Sequence, residues 1–212
     1  MTDPRRAVNV STRTDPRCMQ LTFEFLEGRY IRMEPFEPRL KEEVRAAIDC
    51  DPQTWAIMPI NPTGQGFEKY WAAACDAPRN ERMTYAIRRR EDARVVGMST
   101  FYTALAGEGG VEIGASFLHP DVRGGVVNPE AKLLMLQHAF SMGAVRVQFR
   151  VDTRNQRSQA AVSKLGAVRE GVLRRDRLTW TGYIRDTAYF SILNSEWPEV
   201  RRRLEARLAQ FA

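Results

Sequence analysis

Cysteine and histidine are scarce in this chain, with three of the first and two of the second among 212 residues. Cys18, Cys50 and Cys75 show no Cys-x-x-Cys spacing. An odd count without that spacing fits reduced thiols better than a disulfide framework. His119 and His138 lie far from them in sequence, so no metal site is expected. Long apolar runs are missing too, and none approaches the roughly 18 residues that a membrane-spanning helix needs. The opening MTDPRRAVNVSTRTDPR has no apolar segment of the kind that directs secretion. The expected location is therefore the cytoplasm, with no membrane partner. Nor is there an internal repeat, a low-complexity tract or a long block of one charge. Basic residues outnumber acidic ones, for a formal net charge of +6. The charge mildly favours an anionic ligand such as a nucleotide or RNA, but the basic residues are scattered and form no long run, so nucleic acid is not the expected partner.

Apolar residues make up 43% of the chain, enough for one sizeable core. Residues 1–20 are polar and arginine-rich and read as a flexible leader. Residues 21–194 read as the folded domain and 195–212 as a C-terminal helix. Within the domain, residues 23–33 suggest a strand or strand pair around Gly28. Two amphipathic helices follow, over 39–49 and 66–75, separated by a proline-broken loop. Alternating segments at 83–89 and 94–102 suggest a hairpin, and a glycine-rich turn at 105–110 leads onward. Val145, Val147, Phe149 and Val151 alternate as a strand. A helix over 153–165 with Gly166 as its cap, strands at 168–173 and 183–193, and a helix over 197–211 complete the order.

The stretch VEIGASFLHPDVRGGVVNPEAKLLMLQH, residues 111–138, carries the most information. Val111, Ile113, Ala115 and Phe117 are expected on one face of a strand that Pro120 stops. A Gly124-Gly125 loop follows, and a helix is expected from Pro129, ending near Gly143. Strand, glycine loop and helix start together form a place where free amides and a helix dipole meet one anion. An ordinary strand-to-helix connection would read the same way. Antiparallel strands first, then a strand–helix–strand unit over 111–151, imply a mixed α/β sheet of about seven strands with helices on both faces.

The element order, together with VVGMSTFY (95–102), VEIGASFLHPDVRGG (111–125), NPEAKLLMLQHAF (128–140), RVQFRVDTRNQRSQAAVSKLGAVREGVLRR (146–175) and YIRDTAYFSIL (183–193), resembles the GCN5-related N-acetyltransferase (GNAT) superfamily. Within it the chain looks like the ribosomal-protein alanine N-acetyltransferases of RimJ/RimL type. The most specific piece is Asn-x-x-Ser-x-x-Ala-x-x-Lys-Leu-Gly-Ala followed by Arg-Glu-Gly-Val-Leu-Arg. The resemblance implies the acyl-CoA N-acyltransferase fold, acetyl-CoA as co-substrate, no metal, and direct acetyl transfer to an amine acceptor in a ternary complex. The family's diphosphate loop, Gln/Arg-x-x-Gly-x-Gly/Ala, here reads Asp121-Val122-Arg123-Gly124-Gly125-Val126. If the family loop needs a positive φ at its last position, valine resists it, and Gly125 would supply the bend.

The resemblance assigns the diphosphate to Arg123, Gly124, Gly125, Val126, Val127 and Asn128, and the pantetheine arm to the amides of Phe117 and Leu118. It places Asn155 on the cofactor arm and Ser158 near the sulfur, as proton donor to the thiolate. Lys164 falls near the phosphates or is a surface lysine. Arg123 reads equally as a solvated loop arginine, and Asn155 and Ser158 equally as helix-capping residues. Glu112, on a strand among apolar residues, is the candidate general base, with Glu170 and Asp176 as substitutes and an arginine pair with Arg88 or Arg94 as the plainer role. Arg177 stands where some relatives carry an acid. His138 is expected in the core and His119 at the surface or cofactor edge. Trp55, Trp71 and Trp180 line an acceptor pocket or belong to the core. A homodimer through the apolar C-terminal strand is compatible with all of this. The rival readings are a coenzyme A-binding sensor without transfer activity and an RNA- or ribosome-associated module.

Overall fold

The computed structural model describes residue 19 and residues 21–103 and 108–211. Most of the leader and the first half of the turn at 105–110 lie outside them. Met19, at the end of the leader, is buried in the core.

One mixed sheet of eight strands runs through the molecule, one more than expected, because the segment before Gly28 forms a separate two-residue strand. The strands are β1 (Leu26–Glu27), β2 (Ile31–Pro35), β3 (Arg82–Arg89), β4 (Val95–Tyr102), β5 (Gly110–Leu118), β6 (Arg146–Asp152), β7 (Val168–Leu178) and β8 (Ile184–Leu193). Their order across the sheet is β1-β2-β3-β4-β5-β6-β8-β7. All neighbours are antiparallel except β5 and β6, which the crossover helix between them makes parallel. The helices are α1 (Lys41–Asp49), α2 (Phe67–Cys75), α3 (Val127–Ser141), α4 (Gln156–Leu165) and α5 (Trp197–Ala209).

The sheet separates two cores. On one face α1 and α2 bury Leu40, Val44, Phe67 and Trp71 against Ala86, Met98 and Phe117. On the other, α3, α4 and α5 bury Met135, Val162 and Leu204 against Ile87, Phe101, Val147 and Phe190. The amphipathic pattern of the C-terminal helix therefore has a purpose. Val200 and Leu204 close the same core that the sheet builds, and Trp197 stacks on Phe140 at 5.3 Å.

The C-terminal ends of α3 and α4 follow their sequence signals, whereas helix starts shift: α1 begins at Lys41 rather than Arg39, and α4 at Gln156 rather than Thr153, after the Asn155 cap. Gly143 and Gly166 take φ of 91° and 99° just past α3 and α4. The start of α3 lies two residues before Pro129, which occupies the third helical position. Proline is tolerated there because an amide in the first turn has no intrahelical partner to lose.

Candidate active site

β5 and β6 run together for three residue pairs only, Gly110 with Arg146, Val111 with Val147 and Glu112 with Gln148. Beyond Glu112 the two strands part, so a gap opens in the middle of the sheet. The cause is a bulge in β5. Ala115 takes φ 43°, and Ser99 of β4 stands opposite both Ala115 and Ser116, between the regular pairs Met98–Phe117 and Thr100–Gly114. The extra residue turns the strand and reverses its alternation. Phe117 therefore does not share a face with Ile113 as expected. Ile113 lies in the α3 core, whereas Phe117 lies in the opposite core, stacked on Trp55 at 5.0 Å. Simple period-two reading fails here because it counts one residue too many.

The main chain beyond the bulge has a defined direction. His119 N–H donates to Val96 O at 2.8 Å, so by alternation Phe117 also faces β4 and Leu118 faces the gap. Of the two amides expected along the gap, only Leu118 is aimed there. Its carbonyl accepts from Arg123 Nε at 2.9 Å.

The loop into α3 turns at Gly124, with φ +80° and open space around it. The bend is thus one residue earlier than expected, and Gly125 does not supply it. Val126 sits at φ −74° and ψ −24°, ordinary helical values, so valine is unstrained there. Among the described residues, none of the amides from Gly124 to Asn128 has a hydrogen-bond partner. They surround the N-terminus of α3, whose dipole adds positive potential. The chain thus offers five consecutive donors, which fits a diphosphate. Arg123 is neither solvated nor free. Beyond its bond to Leu118 it pairs with Asp51 at 2.7 Å, tying the loop to the segment before Trp55.

Glu112 lies at the point of divergence, 7% exposed. Its partner is Arg150, at 2.6 Å from Nε to Oε2, and not Arg88 or Arg94. Arg88 is held by Glu34 and Glu43, and Arg94 approaches Asp121 at 3.7 Å. Burial raises the Glu112 pKa, and the Arg150 charge opposes that rise without cancelling it. Gly114 keeps the surroundings clear. A Cβ there would come within 3.0 Å of the Glu112 carboxylate and 3.1 Å of the Tyr102 ring. Glu170 has a different environment. Arg146 grips it with two nitrogens and Ser191 donates at 2.8 Å, which holds its pKa down to about 2. Such a carboxylate is too weak a base to take a proton from an ammonium. Asp176 is exposed on the bulged part of β7.

Asn155 caps α4, its Oδ1 accepting from Ser158 N–H at 3.0 Å. The Ser158 hydroxyl makes no hydrogen bond among the described residues, whereas Lys164 is exposed. His119 accepts from Asp121 N–H beside the loop, and His138 is a core histidine bonded to Thr22 O at 2.9 Å. Trp71 belongs to the core, stacked on Phe36 and Phe67. Trp55 is a core residue too, 1% exposed, and Trp180 Nε1 donates to its carbonyl at 2.7 Å while the Trp180 ring stays half-exposed. Burial raises the pKa of Cys50 and Cys75, so neither is an activated thiolate.

Two residues near the gap escaped the sequence reading. Arg150 is the partner of Glu112, and only the parallel register of β5 and β6 brings them together. Lys132 is buried on α3, donating to Ser99 and Ser116 at 3.1 and 2.6 Å beneath the bulge, with its pKa pushed down to about 7 by burial. Its spacing to Met135, Leu136 and Ala139 placed it on the apolar stripe of the helix and was the available signal.

Known proteins share this fold. The chain is similar over 90% of its length, at 36% identity and a TM-score of 0.78, to the whole of a proposed acetyltransferase from T. thermophilus. It is similar over 88% of its length, at 27% identity and a TM-score of 0.80, to 86% of a GCN5-related N-acetyltransferase from Brucella melitensis. The fold is also that of Mycobacterium smegmatis RimJ, solved in complex with CoA-disulfide, at 20% identity and a TM-score of 0.70, with 84% of this chain and 88% of that one covered. No curated protein matches the sequence significantly. The acetyltransferase (GNAT) domain model matches residues 31–168, so the chain belongs to the GNAT family of acetyltransferases.

Proposed function

We propose that this protein transfers an acetyl group from acetyl-CoA to a primary amine, of a protein N-terminus or a small molecule, by direct attack in a ternary complex. One observation carries the reading. Five unpartnered amides at the start of α3 lie beside a gap between two parallel strands that pair for only three residues. A diphosphate at the amides and an extended arm along Leu118 fit that shape. Acetyl-CoA, when bound, supplies an activated acyl carbon and a thiol leaving group.

In this reading the protein's own groups do the rest. The amides of Gly124, Gly125, Val126, Val127 and Asn128 hold the anion, while Arg123 fixes the loop through Leu118 O and Asp51. Leu118 N–H orients the arm, and Asn155, whose Oδ1 caps α4, keeps an amide nitrogen to donate to the arm. Glu112 takes a proton from the incoming ammonium, a task suited to a buried carboxylate with a raised pKa. Ser158 Oγ gives a proton to the departing sulfur and is reprotonated by the second proton that the acetylated nitrogen sheds. Lys164, exposed nearby on α4, adds positive charge.

The test combines thermal-shift titration with thiol release. Acetyl-CoA is expected to stabilise the chain, and thiol is expected to appear with at least one amine from a panel of peptides, polyamines and amino acids. Glu112→Gln is expected to lower kcat by roughly 10²–10³, the usual share of a general base. Stabilisation without thiol release would make the protein a coenzyme A sensor, and no stabilisation would remove both readings.

A further inference from the structure

The face of β6, β8 and β7 that continues from Glu112 carries an excess of positive charge with no structural use. Arg150 and Asp152 of β6 stand opposite Tyr189 and Thr187 of β8, so Arg185, Thr187 and Tyr189 share their face. The reverse face, through Ala188, Phe190 and Ile192, is core. The three carboxylates of the first face are already neutralised, Glu112 by Arg150, Asp152 by Arg154 at 2.7 Å and Glu170 by Arg146. Arg185 is not. It is 4% exposed, yet among the described residues its guanidinium makes one hydrogen bond, Nε to Thr187 Oγ1 at 3.1 Å, and no ion pair. Its directly opposed residue on β7 is another arginine, Arg177, likewise without an ion pair among the described residues. Like charges face to face across a strand pair are destabilising, and a buried cation without a counterion costs more still. Asp186, next to Arg185 in sequence, accepts from Arg175 N–H at 2.7 Å, and Asp152 and Asp176 act on Arg185 through charge alone, without an ion pair to it among the described residues. Arg185 on β8 and Arg177 on β7 thus lie on the same face of the sheet as Glu112.

We propose that Arg177 and Arg185 form an anion subsite for the acceptor, which is a peptide N-terminus followed by acidic residues. This rests on the amine-acetyltransfer reading above and names its substrate class. The spacing favours a peptide over an amino acid. Glu112 is level with Gln148 and so with Ser191, six residues along β8 from Arg185. At about 3.3 Å per residue that is roughly 20 Å of strand. The arginine side chains span part of it, leaving a gap that a carboxylate one carbon from the amine cannot bridge. In an extended acceptor the acids fall at about the third to fifth positions.

The experiment uses the full chain and three peptides with one N-terminal residue and one length, acidic, neutral or basic at positions three to five. Thiol release and direct peptide binding by fluorescence anisotropy are both measured. The expected result is kcat/KM about tenfold higher for the acidic than the neutral peptide, lowest for the basic one, with the preference shrinking in salt. Arg177→Gln, an exposed change, is expected to reduce the acidic-to-neutral ratio about tenfold through KM, and Arg185→Gln at least as much. Acetylation of all three peptides at equal efficiency, or an unchanged ratio in Arg177→Gln, overturns the subsite and leaves the transferase standing. Selective acidic-peptide binding lost in Arg177→Gln, without thiol release, supports the subsite and sinks the transferase reading. No binding preference and no release remove both.

Discussion

The two sides of the gap are built on opposite plans. On one side, β5, the Gly124 turn and α3 form a unit whose buried side chains and special backbone angles are committed, leaving the loop amides free for a ligand. Ala115 and Gly124 hold special dihedral angles, Glu130 accepts three backbone amides from Arg29, Tyr30 and Ile31, and Lys132 spans Ser99 and Ser116. On the other side, β7 is exposed along its whole length at the sheet edge, and its arginines reach outward. The first plan preorganises one geometry, as a constant co-substrate demands. The second leaves charge and apolar surface free, as recognition of a variable partner demands. Leu173, Leu178, Trp180 and Tyr183 are each about half-exposed there, enough apolar surface to meet an acceptor or a second copy of the chain.

The sharpest way to break the contrast is to strain the committed side. Gly124→Val puts a β-branched residue at φ +80°, where only strain and not a clash is at stake, since nothing lies within 4 Å. That conformation costs about 1–3 kcal/mol, and the loop is expected to escape it by reorienting its amides. Affinity for acetyl-CoA should fall roughly 30-fold or more, the equivalent of about 2 kcal/mol. Gly125→Ala, outside the positive-φ region, should cost much less. Isothermal titration of the two variants checks this, and equal losses would mean that the Gly124 turn is not what sets the amide cradle.

A smaller effect is expected beneath the bulge. Lys132 is buried with only hydroxyl partners among the described residues, and its pKa of about 7 lies below the unfolded value of about 10.4. The unfolded chain therefore binds more protons between those limits, and stability rises with pH from about 7 to about 10. Lys132→Met removes a buried amine of similar volume. It should stabilise the fold by ~1–3 kcal/mol at pH 6, with the gain fading toward pH 10, as denaturant melts at several pH values would show. Loss of stability at every pH would show instead that the lysine's bonds to Ser99 and Ser116 hold the bulge together.

Much of this was legible before any coordinates, and unevenly. The Gly-Gly loop, the Asn155 cap and the alternation of Val147, Phe149 and Val151 signal structure through neighbours in sequence, and these elements are found where expected. What escaped depends on residues far apart. The bulge at Ala115 arises from pairing with Ser99, and nothing in GASF announces that one residue will be skipped. Arg150 reaches Glu112 only through the register of β5 on β6. Period-two reading assigned Phe117 to the wrong core for the same reason. Local chemistry marks where a chain turns, whereas strand register is a tertiary decision.

The smallest expected effect tests the open side. Glu170 on β7 is gripped by Arg146 and Ser191, with its pKa held down to about 2. A carboxylate whose folded pKa lies below its unfolded value of about 4.3 contributes stability above that value, and loses it as the pH falls through about 2. The side chain is 40% exposed, so solvent screens the pair and Glu170→Gln should cost less than about 1 kcal/mol at neutral pH. Its acid limb of unfolding should shift slightly, and turnover with any accepted amine should stay within about twofold of the parent, because a carboxylate this acidic removes no proton at neutral pH. Measuring kcat beside the melt separates the two roles. A fall of a hundredfold with the melt unchanged would move the base from Glu112 to β7, and the edge strand would then have to be counted among the committed parts of the molecule.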